Sequence, residues 1–79
     1  MHFVYILRSL KDNKRYIGCT NDLQRRLFEH NAGLVNSTRN RKPLQLIYSE
    51  QFESKKDAMN REKFFKSGAG REFLKANNI

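Results

Sequence analysis

Near its start the chain reads Phe3-Val4-Tyr5-Ile6-Leu7-Arg8-Ser9, then a turn containing Lys11-Asp12-Asn13-Lys14, then Arg15-Tyr16-Ile17-Gly18. Short runs rich in aromatic and β-branched residues predict strands. The charged and Asn residues between them favour a tight turn. Two strands joined so closely pair antiparallel. This stretch therefore predicts a β-hairpin.

The hairpin brings two phenol side chains together. Side chains alternate across a strand, so Tyr5 shares a face with Phe3 and Leu7, and Tyr16 shares one with Gly18. Gly18 has no side chain, which lets a phosphate or the following helix approach the backbone closely. Taken singly, each tyrosine could equally be a core aromatic residue with a polar rim.

Downstream of the hairpin, the pattern changes to helix, loop and a third strand. Thr20 or Asn21 is the predicted N-cap of a helix that runs to about His30 and stops at Asn31-Ala32-Gly33. Residues 33–43 form a polar, basic loop. Leu44 to Phe52 is a strand in which Leu44, Leu46 and Tyr48 alternate with polar or outward positions.

The C-terminal part is helical. Ser54 caps a second helix that reaches Lys66 or Ser67, and Gly68-Ala69-Gly70 is expected to break it before a short helix at Arg71 to Ala76. The order β-β-α-β-α-α predicts one α+β domain over residues 1–79, with helices on a small three-stranded antiparallel sheet.

Composition narrows the partners. Sixteen Lys and Arg oppose eight Asp and Glu, and the formal charge of +8 favours a polyanion such as nucleic acid. With 38% hydrophobic and 11% aromatic residues the chain is not of a disordered type. The sequence has neither a membrane span nor a secretory pattern, so no membrane partner is expected. Cys19 is the only cysteine, which excludes an intramolecular disulfide and fits a reducing cytoplasm.

These motifs resemble the GIY-YIG nuclease family over essentially the whole chain. Phe3-Val4-Tyr5 takes the place of the first triplet, with Phe for Gly and Val for Ile but with the Tyr kept, and Tyr16-Ile17-Gly18 is an unaltered YIG. The segment Cys19 to Asn31 is similar to the family helix in which a His follows an Arg by four residues. The small stand-alone members are the most similar. The resemblance implies an antiparallel sheet with a central first strand and a metal-dependent endonuclease activity.

Arg26 and His30 lie four residues apart and so project from one helical face. Leu23 and Leu27 form the adjacent buried stripe, which puts Arg26 at its edge. There its guanidinium can fork onto phosphate oxygens and neutralise developing charge. His30, with an ordinary pKa near neutrality, could move a proton or polarise a Tyr hydroxyl. It could also simply stabilise the helix end.

Glu62 is the candidate metal ligand. Stepping about 100° per residue places it in the inward stripe that Ala58, Met59 and Phe65 predict for the second helix. An inward carboxylate needs either a Lys or Arg partner or a cation. Mg²⁺ takes one or two protein carboxylates and completes its shell with water and substrate phosphate. The resemblance implies the second role, because the family carries its metal-binding Glu on this helix. We expect one Mg²⁺ or Mn²⁺ ion.

The predicted mechanism is phosphodiester hydrolysis at Tyr5, Tyr16, Arg26, His30 and Glu62. Tyr5 accepts the proton of the attacking water, which requires that nearby positive charge lower its pKa. Tyr16 orients water or phosphate, and His30 assists proton movement. Flanking phosphates are expected to be held without sequence readout by Arg25, Arg39, Arg41, Lys42, Lys55, Lys56, Arg61 and Lys63.

DNA is the expected nucleic acid in preference to RNA, with little sequence specificity unless a protein partner supplies it, and with a possible place in repair or recombination. Two alternatives stay open. The first is a non-catalytic, basic nucleic-acid-binding module of the same fold. The second is a structural or ribosome-associated protein, which the basic charge also permits.

Overall fold

The computed structural model describes residues 1–79 and contains three strands and three helices. They are β1 (His2–Ser9), β2 (Arg15–Thr20), α1 (Leu23–Asn31), β3 (Leu44–Phe52), α2 (Lys55–Lys66) and α3 (Gly68–Ala76). The strands form one antiparallel sheet in the order β2-β1-β3. The α+β class, the element order and the central position of β1 are therefore confirmed.

The sheet is covered on both faces, because alternate residues of β1 point to opposite sides. On one face Tyr5 and Leu7 pack with Leu44 and with the Leu23–Leu27 stripe of α1. On the other face Val4 and Ile6 pack with α2 and α3, through Ala58, Phe65 and Leu74. β2 is an edge strand, and side chains of α1 and α2 line a common cleft with Cys19 and Thr20 at its end.

The helix N-caps are Asp22, Ser54 and Ser67. Asp22 has an extended backbone and accepts a hydrogen bond from the Arg25 amide, so the prediction of Thr20 or Asn21 as the cap is wrong. Thr20 instead accepts a hydrogen bond from the Asp22 amide through its hydroxyl. The prediction of Ser54 is confirmed, because its side chain accepts from the Asp57 amide.

The final helix begins earlier than the glycines suggested. α3 starts at Gly68 with Ser67 as its N-cap, so the predicted break at residues 68–70 and start at Arg71 are wrong. A Cβ at Gly70 would overlap the backbone at Phe64 and Phe65. Gly70 therefore serves close packing of α3 on the end of α2, and this contact outweighs the low helix propensity of glycine.

A β-bulge in β3 changes the predicted alternation. Ile6 is opposite Tyr48 and Leu7 is opposite Leu46, which leaves Ile47 as the extra residue. Tyr48 consequently packs against Phe65 on the α2 face rather than beside Leu44 and Leu46. None of the three helices has the length and apolar content needed to cross a membrane.

Candidate active site

The two phenols meet on the α1 face of the hairpin. Tyr5 is opposite Gly18 and Leu7 is opposite Tyr16 in the β1–β2 register. The ring centroids of Tyr5 and Tyr16 are 6.4 Å apart. A Cβ at Gly18 would overlap the hydroxyl end of the Tyr5 ring. Gly18 thus leaves the space in which Tyr5 lies across β2, and the predicted pairing of the two tyrosines is what the structure contains.

His30 extends from α1 into the same layer and is fully buried. Its Nε2 lies 2.9 Å from the Tyr5 hydroxyl oxygen, and its Nδ1 lies 2.7 Å from Thr38 Oγ1. The His30 and Tyr16 ring centroids are 5.0 Å apart. Burial, and then the Arg26 charge, lower the pKa of His30 from 6.5 to about 4. The pKa of His30 therefore lies well below the ordinary value from which its proton-moving role was inferred, and His30 is uncharged at neutral pH.

Tyr5 is also buried, at 2% exposure. Burial raises the pKa of its hydroxyl above the usual value of 10, and the interaction with the Arg26 guanidinium opposes this only in part. The expectation of a lowered Tyr5 pKa is wrong for the free protein, although the Arg26 charge acts in that direction. Desolvation is the larger effect, because the phenolate would be charged in an apolar layer.

Arg26 connects this buried layer to an open cleft of about 420 Å³. The guanidinium interacts with Tyr5 and also pairs with Glu29, at 3.2 Å from Nη1 to Oε1. Arg25 lines the same cleft but is exposed, and it donates to the Asn21 side chain at 3.3 Å. Of the two neighbouring arginines, only Arg26 interacts with the tyrosine layer.

Glu62 reaches this cleft from α2, on the opposite face of the sheet. Its side chain is 23% exposed and accepts from Lys66 Nζ at 2.9 Å. The predicted inward stripe holds for Ala58 and Phe65 but not for Met59, which is 48% exposed. Glu62 therefore lies at the boundary between core and cleft. Its ion pair with Lys66 supplies the Lys or Arg partner that was the predicted alternative to a metal ion.

The donor set limits which metal could bind. The structure contains no group of three or more His, Cys, Asp or Glu side chains suited to one ion. Two carboxylates, Glu29 and Glu62, line the cleft, and Glu29 is paired with Arg26. A hard cation that accepts one carboxylate and takes its other ligands from water and phosphate fits Glu62. A preformed structural metal cage does not fit.

The predicted phosphate contacts fall into three groups. Arg25 and Lys55 line the cleft. The exposed side chains outside it are those of Arg39, Lys42, Lys56 and Lys63. Two others have partners within the fold.

Arg41 pairs with Asp12 at 3.0 Å and also donates to the carbonyls of Lys14 and Arg15. Arg61 pairs with Glu50 at 2.8 Å, and its guanidinium lies 4.6–5.1 Å from the ring centroids of three phenylalanines. Both guanidiniums thus stabilise the fold itself.

Sequence reasoning missed a second basic cleft and Thr38. The second cleft, about 690 Å³, has Tyr16 on its wall and also includes Arg8, Lys14, Arg15, Lys66 and Arg71. The hairpin register, which puts Arg8 opposite Arg15, was the available signal for part of it. Thr38 lies in the loop between α1 and β3, among other small polar residues, and nothing in the sequence distinguishes it.

Comparisons with known proteins show the family of this chain. The family model described as the GIY-YIG catalytic domain matches residues 1–75. The UPF0213 protein YazA of Bacillus subtilis is 44% identical over 66 residues, which cover 82% of this chain and 66% of that protein. A UPF0213 protein of Staphylococcus haemolyticus is 41% identical over 75 residues, covering 94% and 90%.

A solved structure is also similar. The solution NMR structure of the UPF0213 protein BH0048 from Bacillus halodurans has 38% sequence identity and a TM-score of 0.57. The alignment covers 95% of this chain and 82% of that one. The similarity thus extends over nearly the whole chain.

Proposed function

This chain belongs to the GIY-YIG family, and from that premise we propose that it is a metal-dependent endonuclease. The observation that carries the proposal is the meeting of Arg26 and Glu62 in one cleft. They come from helices on opposite faces of the sheet, and Arg26 also interacts with the buried Tyr5–His30 pair. A protein that only binds phosphates has no need of an acidic side chain in a basic cleft.

In the proposed reaction a water oxygen bonds to phosphorus while one P–O ester bond breaks. In the substrate complex the Tyr5 hydroxyl first loses its own proton to solvent. The phenolate then takes the proton of the attacking water, and the leaving oxygen is protonated by solvent. Arg26 donates to the phosphate oxygens, where negative charge grows in the transition state. Tyr16, which is only half-buried, orients the water or the phosphate with its hydroxyl. His30, being neutral, holds the Tyr5 oxygen through Nε2.

Mg²⁺ or Mn²⁺ would be held by the Glu62 carboxylate. Bound there, the ion would polarise the scissile phosphate and bring positive charge close to the two phenols. Because burial keeps Tyr5 protonated in the free protein, its service as a base depends on charge that arrives with the substrate complex. Tyr5 is accordingly expected to act as a base only in the complex that contains both the cation and the nucleic acid.

Flanking phosphates would be held by the exposed cations around the cleft. We propose Arg25 and Lys55 as the nearest contacts, with Lys56 and Lys63 further along α2. Arg39 and Lys42 extend the surface on the loop. The second basic cleft continues it along β2, beyond Tyr16. Such contacts fix the register of a backbone without reading its bases, so we propose DNA cleavage with little sequence specificity.

The test is cleavage of labelled DNA with and without Mg²⁺ or Mn²⁺, in wild type and in Glu62→Gln. We expect Glu62→Gln to lose metal-dependent cleavage while its DNA affinity stays equal or rises, since the substitution removes a negative charge. Glu72→Gln changes the charge equally at an exposed site on α3 and is expected to cleave normally. Lys66→Gln breaks the ion pair with Glu62 but keeps the carboxylate, so it is also expected to cleave at saturating DNA, although its affinity can fall because Lys66 lines the second basic cleft.

The outcomes separate the two functions. Equal losses of the cleavage rate at saturating DNA in Glu62→Gln and Lys66→Gln would show that Glu62 serves its ion pair rather than a metal. The panel contains single-stranded, duplex and branched DNA and RNA. Tight binding to members of this panel without cleavage of any of them would favour the non-catalytic binding module. Binding and cleavage by the wild type across this panel would also identify the substrate class for which the cleft is suited.

A further inference from the structure

We infer that Thr38 is a positioning residue: its hydroxyl donates to His30 Nδ1, so that His30 carries its hydrogen on Nε2 and donates it to the Tyr5 oxygen. The chain of contacts runs from Thr38 Oγ1 to His30 Nδ1 at 2.7 Å and from His30 Nε2 to the Tyr5 hydroxyl at 2.9 Å. The relevance to cleavage rests on the proposed function, but the hydrogen-bond direction can be measured without it.

Two directions of hydrogen bonding are compatible with these distances, because a neutral imidazole has one donor and one acceptor nitrogen. In the first, His30 donates from Nδ1 to Thr38 and accepts the Tyr5 hydrogen at Nε2. In the second, Thr38 donates to Nδ1 and His30 donates from Nε2 to Tyr5. They differ in which hydroxyl hydrogen is left over, that of Thr38 or that of Tyr5.

Burial decides between them. Thr38 has 0% exposure, and Oγ1 makes no other hydrogen bond in the structure. The first direction would leave its hydroxyl hydrogen buried without an acceptor, which is costly. The second leaves the hydrogen of Tyr5, whose hydroxyl lies beside Gly18 on the edge strand and next to Arg26, a residue of the cleft wall. Tyr5 keeps 2% exposure whereas Thr38 has none, so the remaining hydrogen lies nearer to solvent on Tyr5 than it would on Thr38.

The consequence is that His30 acts on Tyr5 as a donor and not as a base. A hydrogen bond donated to the phenol oxygen favours the phenolate, so it complements Arg26, which acts on the same oxygen in the same sense. By donating to Nδ1, Thr38 makes Nδ1 the acceptor and Nε2 the donor nitrogen of His30. Val would occupy nearly the same volume but could not donate.

The loop that carries Thr38 is fixed to the hairpin that carries Tyr5. The Thr38 amide donates to the Val35 carbonyl, and the Thr38 carbonyl accepts from the Arg41 amide. The Arg41 side chain in turn pairs with Asp12 in the hairpin turn. Contacts on both sides of Thr38 thus fix its position, and they hold its hydroxyl within hydrogen-bond distance of His30.

The direct experiment is a long-range ¹H–¹⁵N correlation spectrum of the free protein at neutral pH, which distinguishes protonated from bare ring nitrogens. We expect His30 to be protonated on Nε2. His2→Gln removes the only other imidazole and so assigns the signals. We expect Thr38→Val to shift His30 toward the Nδ1-protonated or mixed form, and Thr38→Ser to restore the wild-type pattern.

Protonation of wild-type His30 on Nδ1 would overturn the inference, and so would an unchanged tautomer in a folded Thr38→Val. The wild-type spectrum and Thr38→Ser decide the question even if the Val variant does not fold. In cleavage, Thr38→Val should lower kcat about tenfold or more with little change in KM, and Ser should rescue it. The expected tautomer in a protein that cleaves nothing would reject the proposed function alone.

Discussion

Acidification should destabilise this protein through His30 alone over a pH range in which few other groups titrate. The imidazole has 0% exposure and its pKa is lowered from 6.5 to about 4. Between these values the unfolded chain binds the proton and the folded chain does not, so the free energy of unfolding falls as the pH falls. Below about pH 4 both states are protonated at this group, and the loss is complete.

The magnitude follows from the two pKa values. The pKa falls from 6.5 to about 4, and at about 1.4 kcal/mol per pKa unit this gives a full loss of about 3 kcal/mol in the free energy of unfolding. From about pH 7 to about pH 5 the same values give a loss of about 2 kcal/mol. For 79 residues the free energy of unfolding should be about 4–12 kcal/mol. The loss is therefore a sizeable fraction of the total stability.

Urea unfolding at a series of pH values measures this directly. His30→Gln keeps a polar side chain that does not titrate, and its stability should be nearly flat between about pH 7 and pH 5. His2→Gln should retain the wild-type slope, because it leaves His30 in place. Asp12 and Glu50, whose pKa values are lowered, lose their contributions at more acidic pH. A wild type with no steeper slope than His30→Gln would refute the conclusion that His30 is held neutral.

Three further predictions concern the cleft and the hairpin. Arg26→Ala should lose about 2.7–4 kcal/mol of transition-state stabilisation with little loss of DNA affinity, and Arg26→Lys should lose nearly as much. Arg25→Ala should lower turnover only a little. Similar, mild losses in the single-turnover rates of the Arg25 and Arg26 variants would contradict this prediction. DNA affinity should fall steeply as the salt concentration rises, and fluorescence anisotropy measures it. On duplex DNA the affinity should fall by about 0.9 log units per tenfold increase in salt for each phosphate neutralised. A flat response would exclude a phosphate-dominated interface. Gly18→Ala should lower the free energy of unfolding in urea by about 1–3 kcal/mol, because its Cβ would displace Tyr5. Gly68→Ala should not, since a Cβ there meets nothing within 4 Å. Equal urea unfolding midpoints for the two variants would contradict the close contact at Gly18.

The part of the site that lies on the hairpin was predictable from sequence. A tight turn fixes the register, and strand alternation then puts Tyr5, Tyr16 and Gly18 on one face. The same rule misplaced Tyr48, because a single extra residue in β3 reverses the faces beyond it. Sequence periodicity gives no signal for a bulge, since the residues on both sides of it are apolar.

The helical part of the site was predictable only within each helix. The spacing of Arg26 and His30 gives a common direction, and the burial of His30 agrees with it. That Glu62 meets Arg26 depends on how two helices on opposite faces converge at an edge strand, which no single helix encodes. Thr38 was beyond reach for a related reason. A loop residue has no periodicity, and its role is set by the two elements that it bridges.

The second basic cleft lies beside β2, an edge strand of the sheet, and its charges bear both on that edge and on the proposed substrate. The outer side of β2 has backbone groups without a neighbouring strand, which is the kind of edge that invites pairing with another chain. Arg15 on β2, and Lys66 and Arg71 beside it, line the second cleft along this edge. Like-charged side chains oppose the approach of a second copy of the same edge, and they attract a phosphate backbone. We therefore expect these cations to oppose edge-to-edge pairing of two copies and to favour a polyanion such as the proposed substrate.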